Sequence, residues 1–479
     1  MGDPMGRRDI EPPQQCFRPR AALEPLRVDS SRAARVESTA ALRRHGSRPH
    51  SCLELPRTCL WRRQLVHEAP VPAAVARLKV RGVHVGFVES SIDSLGLLRQ
   101  RNASDPAAPA YSDCVPLVWW PLWGYNIGEF FQSSVLAIAE LLAAGIVDDQ
   151  VMLAPEVGGW PLRDFHLQML QAFTRHAVRT TGQLAPKCGA RHELQRGCSP
   201  QRCYERVLLC RFRDVYDHEA PVAPWDAARR IVTSLRLSHR RPVLPPRAAA
   251  TAAASVASGA ASRAPPAYAV LFVSRANAKN GARRISNEAE LLQRCGRWAP
   301  PAGCLSAATP SAGLAACTLR VFGRHGFRAD VAAVQEADVL VGTHGAALIH
   351  AIFMRRGAAL LEVRPYGFNG RWPDQYHYAM ARQQNATHAF VLRTTDRFLC
   401  ESAHTNGVPP ANVSAWDARP LNTYVRVAAF ERALAAAACT SGRAGGQALP
   451  HAWSEIPPAD GSWAPFDYGA LHSVRIDNG

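Results

Sequence analysis

Residues Ala337 to Pro365 read ADVLVGTHGAALIHAIFMRRGAALLEVRP. Val339 to Val341 is a short apolar run that ends in a glycine turn. An apolar, helix-like stretch follows, and then a second apolar run from Ala358 to Val363. Strand, turn, helix and strand in that order is the unit from which parallel sheets are built. Gly342, Thr343, His344, Gly345 and Ala346 then fall at the strand's carboxyl end and the helix's amino end. Unpaired N–H groups and the helix dipole favour an anion there. A nucleotide diphosphate suits such a turn, although any buried βα unit also needs glycines to turn.

A second stretch extends the pattern. Val270 to Leu292, VLFVSRANAKNGARRISNEAELL, reads as a strand trailing into Ser-Arg, then a basic loop, then a helix start with Ser286 as its N-cap. Asn287 and Glu288 are read as part of that helix start. Elsewhere Leu78 to Val88, Val115 to Trp120, Gln150 to Ala154 and Val207 to Phe212 read as strands. Asn126 to Ile146, Leu162 to Val178 and Val425 to Ala438 read as helices. Val135 to Val147, interrupted by Glu140, is too short to span a bilayer and is read as an amphipathic core helix. The predicted organisation is a disordered basic arm (1–65), a Rossmann-like acceptor domain (66–243), a low-complexity linker (244–266), a Rossmann-like donor domain (267–438) and a tail (439–479). Trp453, Trp463 and Phe466 give that tail a means of packing back on a domain.

GTHGAALIHAIFMRRGAALLEV, together with the Val270 to Leu292 stretch, resembles the donor-side signature of glycosyltransferase family 61. The resemblance covers Tyr268 to Phe430 and is faint before it. It implies an α/β fold of GT-B type, with two Rossmann-like domains facing a cleft. It further implies inverting transfer from a UDP-sugar to a glycoprotein or polysaccharide hydroxyl.

Transfer from such a donor needs charge to stabilise the leaving diphosphate, a base for the acceptor hydroxyl and a pocket for the nucleoside. No Asp-x-Asp pair occurs in the chain. No metal ligand set and no cofactor is therefore predicted, and the UDP-sugar enters as co-substrate. Arg275, Arg283 and Arg284 offer forked donors for phosphate, against a reading of Arg283 and Arg284 as solvated surface charge. Glu362 sits where a strand-end carboxylate accepts from ribose hydroxyls, or is structural. His344 contacts phosphate or sugar, or is a turn histidine bonded to backbone.

The acceptor-side motif of the resembled family, N-x-x-H-F-x-x-D, has its nearest match at Asn126 to Ser133. Glu129 stands in place of the histidine and Ser133 in place of the aspartate. Glu129, with its pKa raised by burial, and Asp374 are the candidate bases. Trp123 and Trp372 are candidate ring-stacking residues on the acceptor side, and core packing is their alternative role. Loss of both ionisable positions also fits a catalytically inactive member that serves as a nucleotide- or carbohydrate-binding module.

Composition bears on the setting. The net charge of +17 raises nucleic acid as a partner. Of 56 basic residues, however, only Lys79, Lys187 and Lys279 are lysines. That skew points to codon bias, no nucleic-acid module is recognisable, and no such partner is predicted. Thirteen cysteines include no C-x-x-C pair, and Cys188, Cys198, Cys203 and Cys210 are spaced too irregularly for a zinc ribbon. Disulfides in an oxidising compartment explain them better. Sequons at Asn102, Asn385 and Asn412 agree. The expected location is the Golgi or endoplasmic reticulum lumen. Met1 to Leu60 holds no apolar run long enough to anchor there, so membrane association requires an anchor absent from this sequence. The motifs of serine hydrolases, zincins, P-loop NTPases and dinucleotide-binding dehydrogenases are all missing.

Overall fold

The computed structural model describes residues 50–455 except 185–200, 213–223, 238–267, 302–313, 369–386, 442–452 and some shorter internal stretches. The predicted linker therefore lies outside the described residues. The chain divides into two compact units, Met1–Gly124 with Ser133–Asp214, and Tyr125–Gln132 with Val215–Gly479. The second unit thus takes in the Asn126 turn and the helix Pro224–Ser234, both assigned to the first domain from sequence.

The first unit contains β1 (His50–Trp61), β2 (Gln64–His67), β3 (Lys79–Arg81), β4 (Glu89–Ser91), β5 (Leu98–Gln100), β6 (Pro116–Trp119), β7 (Met152–Pro155) and β8 (Gln201–Phe212). Six of them form one sheet in the order β5-β2-β1-β8-β6-β7. β3 and β4 make a separate antiparallel pair, and of the strand expected over Leu78 to Val88 only Lys79–Arg81 lies in a described strand. The main sheet is mixed. β1 runs antiparallel to β2 and β8, whereas β6 is parallel to both β7 and β8. It is accordingly not the wholly parallel sheet of a Rossmann-like domain.

β1 also corrects the expectation of a disordered arm reaching residue 65. Its composition is poor for a strand, with Pro56 and Arg57 at the middle, and tertiary bonds hold it. Cys52 lies opposite Cys210 and Cys59 opposite Cys203 in the β1–β8 ladder, and both pairs are disulfides. Two of the clustered cysteines are therefore cross-strand staples and not zinc ligands. Among the described residues a third disulfide joins Cys295 to Cys317, and Cys400 is free and buried.

The helix Leu136–Ala143 continues from a π-helical turn at Phe131–Val135. Leu136 to Leu141 are all buried, Glu140 included, so it is a core helix buried on every side and not an amphipathic one. No described helix is long and apolar enough to cross a membrane.

The second unit holds β9 (Tyr268–Val273), β10 (Ala315–Arg320), β11 (Val339–Thr343), β12 (Ala358–Arg364), β13 (Thr387–Arg393), the short pair β14 (Cys400–Glu401) and β15 (Asn422–Thr423), and β16 (Trp453–Glu455). Six make an all-parallel sheet in the order β10-β9-β11-β12-β13-β16. β16 comes from the predicted tail. Every residue of β11 and β12 is buried, as expected of central parallel strands covered on both faces. Alternate residues, among them Val270, Phe272, Val339, Val341, Leu361 and Val363, pack against the helices Glu288–Cys295 and Val427–Ser441. In the latter helix Phe430, Ala433, Leu434, Ala437 and Ala438 form the apolar stripe of a 3.6-residue period. The helix Phe327–Glu336 and the 3₁₀ helix Ala346–Phe353 cover the opposite face.

Candidate active site

In chain order the first five strands of the parallel sheet lie 2-1-3-4-5, so the winding direction reverses between β9 and β11. Ligands of open α/β sheets bind beyond the carboxyl ends of the strands at such a switch point. β9 ends at Val273 and continues into Ser274 and Arg275. β11 ends at Thr343 and continues into His344 and Gly345. The two stretches singled out from sequence therefore meet here.

Gly345 caps the helix Ala346–Phe353. A Cβ on it would lie 2.6 Å from Nη1 of Arg275 and 3.6 Å from Nη1 of Arg283. Two guanidinium groups thus converge over the glycine at a helix N-terminus, where the leading N–H groups have no intrahelical acceptor. Burial, with the charge of Arg419 nearby, pushes the Arg275 pKa down, and its buried Nε has no hydrogen-bond partner among the described residues. An anion at this point would relieve both conditions.

Arg283 adopts a positive φ of 60° and is fixed from two sides. Its N–H donates to Pro420 O (3.1 Å), and Thr343 Oγ1 donates to its carbonyl (2.7 Å). Thr343 therefore shapes the arginine loop. Gly342 serves packing, since a Cβ there would sit 2.9 Å from Leu348 Cδ2 and 3.2 Å from Val273 Cβ. Arg284 is exposed and turns its guanidinium onto Ala276 O (3.0 Å). The following helix is capped by Asn287 and not Ser286. Asn287 anchors the start of the final helix through Val425, and Glu288 accepts from Ser274 Oγ at 2.8 Å.

Glu362 is completely buried. One carboxylate oxygen accepts from His344 Nδ1 at 2.5 Å, and the two oxygens accept from Arg364 Nε and Nη2 at 3.0 and 3.1 Å. This corrects the ribose reading, because a carboxylate so enclosed orients the histidine. The carboxylate places the ring proton on Nδ1, which leaves Nε2 of a neutral ring as an acceptor. Burial lowers the His344 pKa, and the charges of Arg364 and Arg283 oppose the raising effect of Glu362.

Burial likewise lowers the pKa of His166, to about 4, and that of His350. Each of these histidines folds neutral and must take up a proton when it unfolds in acid. Their stabilising contribution is present above the unfolded value near 6.5 and is lost as pH falls towards the folded values. Urea midpoints are therefore expected to drop steadily between about pH 6.5 and 4, and a His350→Phe chain to drop less.

Asn126 caps the short helix Ile127–Phe130, its Oδ1 accepting from the N–H groups of Gly128 (2.9 Å) and Glu129 (3.2 Å). That helix packs against Ala346–Phe353. Glu129 is half-buried and close enough to Tyr125 to help raise its phenol pKa, burial being the larger cause and Arg419 opposing. The π turn that follows Phe130 is of a kind frequent at functional sites. His166 donates from Nε2 to Gly124 O (2.5 Å) and holds the chain just before this turn.

Asp374, Trp123, Trp372 and Asn385 lie outside the described residues. Asn102 and Asn412 are exposed. No group of His, Cys, Asp and Glu suited to a metal occurs among the described residues. Tyr125, Arg364, Trp416 and Arg419 were not singled out from sequence. Of these only Arg364 left a signal, as a charge two residues from Glu362, on the same face of an otherwise apolar strand.

No curated protein matches the chain. Residues 165–361 match the family model described as Glycosyltransferase 61. The matched stretch contains Arg275, Arg283, Thr343, His344 and Gly345 and stops one residue before Glu362. Strands β9, β10 and β11, the switch-point turn and the converging arginines all lie in that stretch, and over those residues the chain is similar to glycosyltransferase family 61.

Proposed function

We propose that the chain is an inverting, metal-independent glycosyltransferase of GT-B type that moves a sugar from a UDP-sugar to a glycoprotein or polysaccharide hydroxyl. The observation that carries this reading is the convergence of Arg275 and Arg283 over Gly345 at the sheet's switch point. The acceptor oxygen attacks the anomeric carbon from the face opposite the diphosphate as the bond from that carbon to the phosphate oxygen breaks. UDP departs with the bonding pair. Arg275, Arg283 and the helix N-terminus stabilise its developing charge. His344, aligned by Glu362, accepts a hydrogen bond from a hydroxyl of the transferring sugar at Nε2. Glu129 takes the acceptor's proton, being carried on a capped helix that packs against the donor helix.

Disulfides and the exposed sequon residues Asn102 and Asn412 support a lumenal setting, in the Golgi or endoplasmic reticulum. The alternative, an inactive nucleotide-binding member, is favoured by Glu129 and Ser133 standing where the resembled motif has His and Asp.

Turnover of a panel of UDP-sugars, with water or added glycans as acceptor, separates the two readings. Glu129→Gln is expected to lower turnover by about 10²- to 10⁴-fold while UDP affinity stays unchanged. Turnover unaffected by the substitution would remove Glu129 as the base. UDP binding with no turnover of any sugar would favour the inactive member.

A further inference from the structure

Trp416 is 68% exposed and Tyr125 56%, both unusual for rings of their size. The backbone that carries Trp416 is nevertheless fixed. It lies on the helix Ala415–Ala418, where Ser414 Oγ accepts from Asp417 N (3.1 Å) and donates to Asp417 Oδ2 (2.6 Å). Beneath it Ala418 is fully buried in a small cluster with Phe368, Cys400 and Leu421. The Arg419 guanidinium lies 4.9 Å from the centre of the Trp416 ring.

The residues that follow this pair are bonded to Arg283 and Arg284. Pro420 O accepts from Arg283 N (3.1 Å), Asn422 Oδ1 accepts from Arg284 N (2.8 Å), and Thr423 N donates to Arg284 O (2.8 Å). The charge of Arg419 also acts on both Arg275 and Tyr125. A solvent-facing indole with a cation beside it, followed four residues on by a carbonyl that accepts from the backbone of Arg283, suits a flat ring that is itself tethered to a diphosphate.

We infer that Trp416, backed by Arg419, is the ledge on which the donor's nucleobase stacks. The inference rests on the reading of Arg275 and Arg283 as the diphosphate site. Its occupant is the base and not the acceptor, because the ledge hangs on Arg283 and the base is the ring covalently joined to the diphosphate.

The test uses the full chain and two probes, UDP and inorganic pyrophosphate, titrated into wild type, Trp416→Ala, Trp416→Phe and Arg275→Ala. Trp416→Ala is expected to weaken UDP by about five- to a hundredfold, the range for a base stacked on an aromatic side chain, and to leave pyrophosphate unchanged. Trp416→Phe should keep most of the UDP affinity. Unchanged UDP affinity in Trp416→Ala overturns the ledge, and so does an equal loss of both probes, which would signal a disturbed loop. Arg275→Ala weakening both probes upholds the diphosphate site independently. If it weakens neither, the donor-site reading fails whatever Trp416 does.

Discussion

Gly345→Ala is expected to lower UDP affinity by about 10- to 100-fold without changing the urea midpoint of the protein. The alanine Cβ would meet Arg275 Nη1 at 2.6 Å, and the nearest obstacle is the tip of a flexible side chain, which can swing aside. The backbone at Gly345, with φ 160° and ψ 170°, is extended and accepts alanine without strain. What is lost is the aim of a charge-assisted donor, worth about 1.5–3 kcal/mol.

Gly342→Ala, three residues away in the same motif, is expected to do the opposite. Its Cβ would press on Leu348 Cδ2 at 2.9 Å and Val273 Cβ at 3.2 Å within the core. Overpacking of that kind costs about 1–3 kcal/mol of stability. Calorimetry with UDP and urea denaturation on the two variants separate these roles. Equal effects of both substitutions on both measurements would contradict the division.

Glu362→Ala is expected to cost about 3–5 kcal/mol, a larger stability loss than overpacking at Gly342. It strands the Arg364 guanidinium, 1% exposed, without its bidentate partner, and leaves His344 Nδ1 without its acceptor. Replacing both members of the pair, as in Glu362→Leu with Arg364→Met, should recover most of the loss, since the penalty comes from an uncompensated buried charge. Urea denaturation of the single and double variants measures it. A double variant no more stable than Glu362→Ala would mean that the pair itself, not its charge balance, holds the strand. Loss of turnover in a refolded double variant is expected in either case, because His344 has lost its orienting carboxylate.

Much of the second unit is legible in the sequence because its physics is local. VLVGT and AALLEVR are short, mostly apolar runs bounded by turns, and both are wholly buried strands. The switch point is not legible, since strand order is set by pairings between distant segments. β1 reads as a disordered arm because arginine and proline dominate its neighbourhood. Its partner, β8, lies more than 140 residues on, and only the cross-strand disulfides reveal the pairing. Trp416 and Arg419 carry no motif at all. Their place beside Arg283 depends on backbone bonds that span about 137 residues of chain. The role of Glu362, by contrast, is open to sequence reasoning. A glutamate and an arginine at i and i+2 of a buried strand share a face and must pair.

A donor diphosphate held by arginine at Gly345 is tested most directly by titration calorimetry of UDP against the full chain in a chelating buffer. Saturable one-site binding by the wild type, and loss of that binding in Arg275→Ala, are the expected results. A wild-type chain that does not bind UDP, or an Arg275→Ala chain that binds it equally well, would contradict the diphosphate site.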